Sequence, residues 1–153
     1  MTSKILMCPP DFYGIKYEIN PWMNVEIKSE EKLAVQQWNN LYKILLDDIK
    51  ADIQIVPPKE DVPDMVFTAN AALIYKNKAI ISRFKYEQRQ PEEKYFAKWF
   101  EDNGYEVVWL PENMYFEGAG DALFLDDTLY SGYVPRTDIS SHTYIAELLG
   151  IQV

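Results

Sequence analysis

The chain has 153 residues, of which 48% are hydrophobic and 14% aromatic, enough to bury a core and to exclude disordered and fibrous classes. Its net charge is −9 and no long Lys/Arg cluster interrupts the acidic balance, which excludes phosphate-backbone binding and hence nucleic-acid partners. The single cysteine, Cys8, leaves no internal disulfide and no multi-cysteine zinc site, while the absence of a signal peptide or of any apolar run near the roughly 18 residues of a membrane span predicts a cytoplasmic, soluble protein.

In chain order, Ile5-Leu6-Met7-Cys8 is a short apolar strand, followed by an aromatic, proline-containing loop from Phe12 to Trp22. Helical periodicity between Glu30 and Lys50 places Leu33, Trp38, Leu41, Tyr42, Leu45, Leu46 and Ile49 on one face, with Ser29 as N-cap, and predicts an amphipathic helix that covers something flat. A hairpin follows, Ala72–Tyr75 and Ala79–Ser82 around Lys76-Asn77-Lys78. A helix from Pro91, with Glu92 and Glu93 in its first turn, buries Phe96, Trp99 and Phe100 and ends at Gly104. The next hairpin is Ala122–Leu125 and Thr128–Ser131 around Asp126-Asp127. A last helix from about Ser140 buries Tyr144, Ile145, Leu148 and Leu149 and ends at Gly150.

After each helix comes a similar strand: Asp52-Ile53-Gln54-Ile55-Val56-Pro57, Gly104-Tyr105-Glu106-Val107-Val108-Trp109-Leu110-Pro111, and Gly150-Ile151-Gln152-Val153. The unit therefore reads ββαβ, three times, with the first copy most divergent and the third stopping in mid-strand, which suggests a missing second half. Repeats of roughly 50 residues whose units cannot bury both faces alone argue for an array that stacks or closes on itself. A propeller of α/β blades satisfies the period.

Glu117 lies in Phe116-Glu117-Gly118-Ala119-Gly120-Asp121, a carboxylate among small residues just before a strand. The glycines would let backbone approach a ligand closely, and Asp121 would fix the loop by accepting from backbone N–H groups. A turn with a solvated Glu fits the same residues equally well. Asp64 and Asn70 bracket the entrance of the preceding hairpin, and a propeller would bring Asn70 and Glu117 to its axis, although such residues singly are more often turn formers. Arg89 and Arg136 fall at matching places between hairpin and helix, where two guanidinium forks would hold a carboxylate, unless both are simply solvated. His142 lies off the apolar face of its helix and Cys8 packs as a small hydrophobe, so neither is placed for catalysis. No nucleophile elbow, phosphate loop or metal-ligand spacing is present in the sequence.

The segments Asp64-Met65-Val66-Phe67-Thr68-Ala69-Asn70-Ala71, Ser82-Arg83-Phe84 with Glu87-Gln88-Arg89-Gln90, and Phe116 to Leu123 resemble the guanidine-group-modifying superfamily. It includes dimethylarginine dimethylaminohydrolases, arginine deiminases, amidinotransferases and arginine dihydrolases. Met7-Cys8-Pro9-Pro10 and Glu18-Ile19-Asn20-Pro21-Trp22-Met23 resemble the start of such a protein. The resemblance implies an α/β fold of repeated ββαβ units, a partial five-bladed propeller (pentein), with residues 1–153 forming about three blades of one domain. It implies that Glu117 binds a guanidinium, that Asp64, Asn70 and Asn20 help to hold the substrate, and that Arg89 and Arg136 grip its α-carboxylate. It implies no metal and no cofactor. Asn70 stands where most members carry Asp, a feature similar to the arginine dihydrolase branch. Neither Cys8 nor His142 matches the family's catalytic Cys and His, which lie beyond Val153 in the complete proteins. The expected protein is the N-terminal portion of an arginine dihydrolase-like hydrolase, inactive alone and prone to self-association at open edges. The alternatives are citrulline formation from arginine or a methylarginine, and a noncatalytic propeller module.

Overall fold

The computed structural model describes residues 4–27 and 29–153, and the chain divides into two compact units, one ending at Thr68 and one spanning Ala69–Val153. In the first, β1 (Lys4–Met7) pairs in parallel with β2 (Asp52–Ile55), Lys4 opposite Asp52 and Met7 opposite Ile55. Helix α1 (Glu31–Lys43) connects them and runs on as a π-helical turn through Asp48, where Ile49 N–H reaches Ile44 O at 3.1 Å. Lys50, at φ 58°, then ends the helix in a left-handed cap, with Ala51 N–H bonded back to Leu45 O. One strand and a loop thus replace the hairpin of this first copy, as its sequence predicts.

Two expectations for α1 require correction. Its N-cap is Glu30, not Ser29, with no side-chain cap bond. The face that turns inward is narrower than the apolar stripe: Ala34, Trp38, Tyr42 and Leu45 are half-buried, while Leu33, Leu41, Leu46 and Ile49 are exposed. Trp38 stacks on Tyr42 with ring centroids 5.4 Å apart, as residues four apart on a helix can.

The second unit contains the two regular repeats. β3 (Ala72–Tyr75) and β4 (Lys78–Ile81) form a hairpin, and α2 (Gln90–Asp102) returns the chain so that β5 (Glu106–Val108) pairs in parallel with β4. β6 (Ala122–Leu125) and β7 (Thr128–Ser131) form the second hairpin, followed by α3 (Ile139–Leu149) and a parallel bridge from Gln152 to Thr128. Each hairpin turns through two residues, with positive φ at the first, Lys76 and Asp126. Both helices stop at glycines in the left-handed region, Gly104 at φ 81° and Gly150 at φ 64°, with no neighbour within 4 Å of a would-be Cβ. Conformation alone calls for glycine there. Pro91 occupies the first turn of α2, where its missing N–H costs nothing.

Alternation along the strands determines which faces are covered. Phe96, Ala97 and Phe100 of α2 are buried, whereas Trp99 is half-buried and meets Phe100 edge-on. The opposite side chains of the first hairpin, Leu73 and Ile80, join Leu110, Phe116, Ala122, Leu129 and Ile145 in one core cluster. The two repeats therefore share a core. On the second hairpin, Leu123 and Tyr130, at positions equivalent to Leu73 and Ile80, are 66% and 61% exposed.

This division predicts opposite responses to one substitution type. Ile145→Ala, in the shared core, should lower unfolding free energy by about 2–5 kcal/mol in urea titrations, whereas Leu123→Ala should change it by less than about 0.5 kcal/mol. Equal losses would show that the second hairpin's outer face is packed in solution.

Candidate functional site

Backbone hydrogen bonds decide where Glu117 sits. Phe116 and Arg83 exchange N–H to O bonds of 3.0 and 2.8 Å in an antiparallel bridge, so the residue after Phe116 is placed by main chain. Glu117 N–H then donates to Thr137 Oγ1 at 3.2 Å, and its carbonyl accepts from Asn70 Nδ2 at 3.1 Å. The side chain that follows is 1% exposed.

The glycines beside it make this packing possible. A Cβ on Gly120 would lie 2.1 Å from Asn70 Nδ2, and one on Gly118, at φ 59°, would lie 2.8 Å from Ser82 Oγ and 2.9 Å from the Ala72 backbone. The expected ligand approach is thus corrected: Asn70 and β3 fill that space. Asp121 also differs from expectation. Its carboxylate accepts from Arg136 Nη2 and, at 2.7 Å, from Thr137 Oγ1 rather than from loop N–H groups.

Around Glu117 the charges alternate. Arg89, buried at 4% exposure, donates from Nε and Nη2 to the two carboxylate oxygens of Glu92, both at 2.8 Å, and its guanidinium carbon lies 4.3 Å from the Phe84 ring centre. The remaining Nη1 faces Asn70 Oδ1 at 3.3 Å and Glu117 Oε2 at 3.7 Å. Arg136 approaches the same Oε2 with Nη1 at 2.9 Å. A carboxylate, two guanidinium groups and an amide thus converge in the second unit. The carboxylate that the two arginines approach here is the chain's own Glu117.

The correspondence of these residues in the repeat is looser than expected. Asn70 precedes Ala72 by two positions (72 − 70), which matches Gly120 ahead of Ala122, whereas Glu117 precedes its strand by five (122 − 117). Asn70 and Glu117 meet through tertiary contact rather than through equivalent register.

Asp64 and Asn20 belong to the first unit. Asp64 is buried in a short 3-10 turn and accepts from Tyr17 OH at 2.7 Å. Asn20 is exposed, and its Oδ1 accepts from Trp22 N–H and Met23 N–H, which makes it a turn-capping residue. Cys8 is buried at 1% exposure. His142 is half-buried with Nε2 2.8 Å from Ser131 Oγ and 3.1 Å from Gly132 O. The Gly132 carbonyl can only accept, so that contact is a hydrogen bond in the tautomer with the proton on Nε2. Among the described residues, no group of three or more His, Cys, Asp or Glu could hold a metal ion.

Sequence reasoning missed Glu92 and Glu93, assigned only to a helix's first turn. Glu92 fixes Arg89; the one available signal was its i, i+3 spacing from that arginine. Glu93 accepts from Phe84 N–H at 2.8 Å and lies 3.6 Å from Arg83, whose Nη2 donates to Leu110 O. It thereby braces the Arg83–Phe116 bridge that positions Glu117.

The family model "N,N dimethylarginine dimethylhydrolase, eukaryotic" matches residues 17–153. The bifunctional arginine dihydrolase/ornithine cyclodeaminase AgrE of Nostoc sp. is 49% identical over 100% of this chain and 22% of its own length. The N(G),N(G)-dimethylarginine dimethylaminohydrolase of Mycobacterium tuberculosis is 34% identical over 99% of this chain and 49% of its own length. The crystal structure of the N-terminal domain of ArgZ bound to product, a cyanobacterial arginine dihydrolase, superposes with a TM-score of 0.93 at 44% identity, covering 100% of this chain and 56% of that one. The chain thus spans about a fifth to a half of the curated relatives' length.

The Glu93 brace carries a pH signature. Burial raises its pKa above the ordinary 4.5, outweighing the Phe84 N–H bond and the Arg83 charge that lower it. The folded state therefore holds this proton more tightly than the unfolded chain, and the resulting stability is lost as pH rises above 4.5. Glu93→Gln keeps an acceptor for Phe84 N–H without the charge. Its stability relative to the parent should increase as pH is raised from 4.5 in parallel urea melts; a constant difference would exclude Glu93 as the titrating group.

Proposed function

The chain belongs to the N,N dimethylarginine dimethylhydrolase family, and on that premise we propose that it supplies the N-terminal portion of an arginine-processing hydrolase. In this reading the intact enzyme hydrolyses C–N bonds of the arginine guanidinium and releases ornithine, ammonia and carbon dioxide. Residues 1–153 would form about three blades of a five-bladed α/β propeller in the cytoplasm, with exposed faces such as that of Leu123 and Tyr130 favouring self-association.

The observation that carries the proposal is the buried Glu117 carboxylate, whose Oε2 forms ion pairs with two guanidinium groups in this structure. A substrate guanidinium is planar, cationic and all donor, so it matches the same oxygens. Its central carbon is deactivated by resonance, and attack needs a held substrate, a thiolate nucleophile and an acid for the departing amine. Glu117 is assigned the holding role, with Asn70 assisting and Arg89 and Arg136 directed to the α-carboxylate. Cys8 is buried in the first unit and His142 lies against Ser131 and Gly132, so we assign the thiolate and the acid to the remainder of the intact enzyme.

Asn70 favours two hydrolyses over one. Its amide donates to Glu117 O and accepts from Arg89, a combination that an Asp cannot make, and it retains one N–H and one lone pair. Those suit a half-hydrolysed ureido group, which presents both a carbonyl and N–H donors. Citrulline formation is the second reading, favoured by the 34% identity to the mycobacterial dimethylarginine hydrolase.

Product analysis tests the proposal. The intact enzyme should yield two ammonia per ornithine from arginine, and Glu117→Gln should lower turnover by on the order of a hundredfold or more, as loss of a buried ionic partner costs about 3–5 kcal/mol. The 153-residue chain alone should release none. Citrulline as end product would transfer the assignment to the second reading, and near-normal kinetics of Glu117→Gln would remove Glu117 from the site.

A further inference from the structure

Arg136 places on Glu117 the same chemical group that a guanidino substrate would bring. Its Nη1 is 2.9 Å from Glu117 Oε2 while Nη2 bonds Asp121. An arriving guanidinium and this one compete for the same carboxylate oxygen. Arg89 is not a comparable obstacle, because Glu92 clamps two of its nitrogens and only its third faces Glu117, at 3.7 Å.

Arg136 is also built to leave. Its side chain is 37% exposed against 1% for Glu117. It follows Gly132, Tyr133, Val134 and Pro135, all exposed, and Val134 sits at φ 51°, in the left-handed region that a β-branched residue avoids. Strain of this kind marks a segment held by its surroundings, here by Gly132 N–H on Asp121 O and Val134 N–H on Thr137 O, at 2.8 and 3.1 Å.

Charge counting then separates two kinds of ligand. A guanidinium without an anion takes Glu117 from Arg136 and leaves that arginine with Asp121 alone. A guanidino amino acid takes Glu117 but returns a carboxylate, so every displaced charge regains a partner. We propose that Arg136 is a specificity-determining residue that occupies Glu117 as an internal guanidinium, excludes ligands offering only that group, and yields to those that also carry a carboxylate. This rests on Glu117 being the guanidinium receptor, as proposed above.

The experiment is a calorimetric titration of the 153-residue chain with methylguanidinium and with arginine, for the parent, Arg136→Met and Glu117→Gln. Arg136→Met should bind methylguanidinium at least tenfold more tightly than the parent and arginine more weakly. A residue that only grips a carboxylate would weaken arginine and leave methylguanidinium unchanged, and that result, or weaker methylguanidinium binding, overturns the proposal. Should Arg136→Met fail to fold, nitrogen NMR of the parent decides: saturating methylguanidinium should shift the Arg136 Nε resonance and not that of Arg89, and an unmoved Arg136 resonance overturns it. Glu117→Gln separates the two levels. If it abolishes methylguanidinium binding while Arg136→Met has no effect, the Glu117 reading survives and only the role of Arg136 falls. If it leaves the binding of both ligands unchanged, the Glu117 reading fails and the role of Arg136 falls with it.

Discussion

A carboxylate taken out of water must be given positive charge and hydrogen bonds, or it will not stay ionised and buried. Glu117, at 1% exposure, is given positive charge through its ion pairs, and the polar interior of the second unit follows from it. Two guanidinium groups converge on one of its oxygens. One of them, Arg89, is itself buried and so needs an anion of its own, which Glu92 supplies bidentately. The other, Arg136, reaches outward to Asp121, which Thr137 also holds. From Glu92 to Asp121 the sign alternates at each contact, so no buried charge faces a like neighbour without an opposite one beside it.

The two repeats of the second unit supply the scaffold for this alternation. A hairpin ends at a short loop, the loop carries an arginine, and the helix that follows returns the chain alongside. Because Leu73 and Ile80 of one repeat share a core with Leu129 and Ile145 of the next, the polar loops of both are brought to one place. The close contact of Asn70 with Gly120 shows how little slack remains: equivalent positions in adjacent repeats touch, one filling the space that the other leaves empty. A larger residue at position 120 would displace the amide that holds the Glu117 carbonyl.

Local signals in the sequence carried most of the secondary structure. Pro91 at a helix start, Gly104 and Gly150 at helix ends, and two-residue turns between alternating strands each act within a few residues, so α2, α3 and both hairpins are legible. Helix α1 was legible as a helix but not in its burial, since a periodic apolar stripe states that a face prefers cover without stating what covers it. Leu33, Leu41 and Ile49 are exposed despite their pattern. At the site, Glu117, Asn70, Arg89 and Arg136 could be singled out by residue type and family resemblance. Their mutual contacts could not, because they depend on packing between segments separated by 19 residues or more. Glu92 and Glu93 were hidden for another reason: two glutamates after a helix-starting proline are what a solvated N-terminus also requires, and only tertiary structure reveals that both are buried.

The central claim, that a buried Glu117 carboxylate and its arginines stabilise one another as a unit, is tested most directly by a double-mutant cycle on urea unfolding with Glu117→Gln, Arg89→Met and the double variant. Groups in one buried charge network show coupling of about 0.5–3 kcal/mol, whereas independent sites add to within about 0.3–0.5 kcal/mol. The account predicts a double variant less destabilised than the sum of the single ones by at least about 1 kcal/mol, within that coupling range. Simple additivity would contradict it and leave Glu117 and Arg89 as separate neighbours.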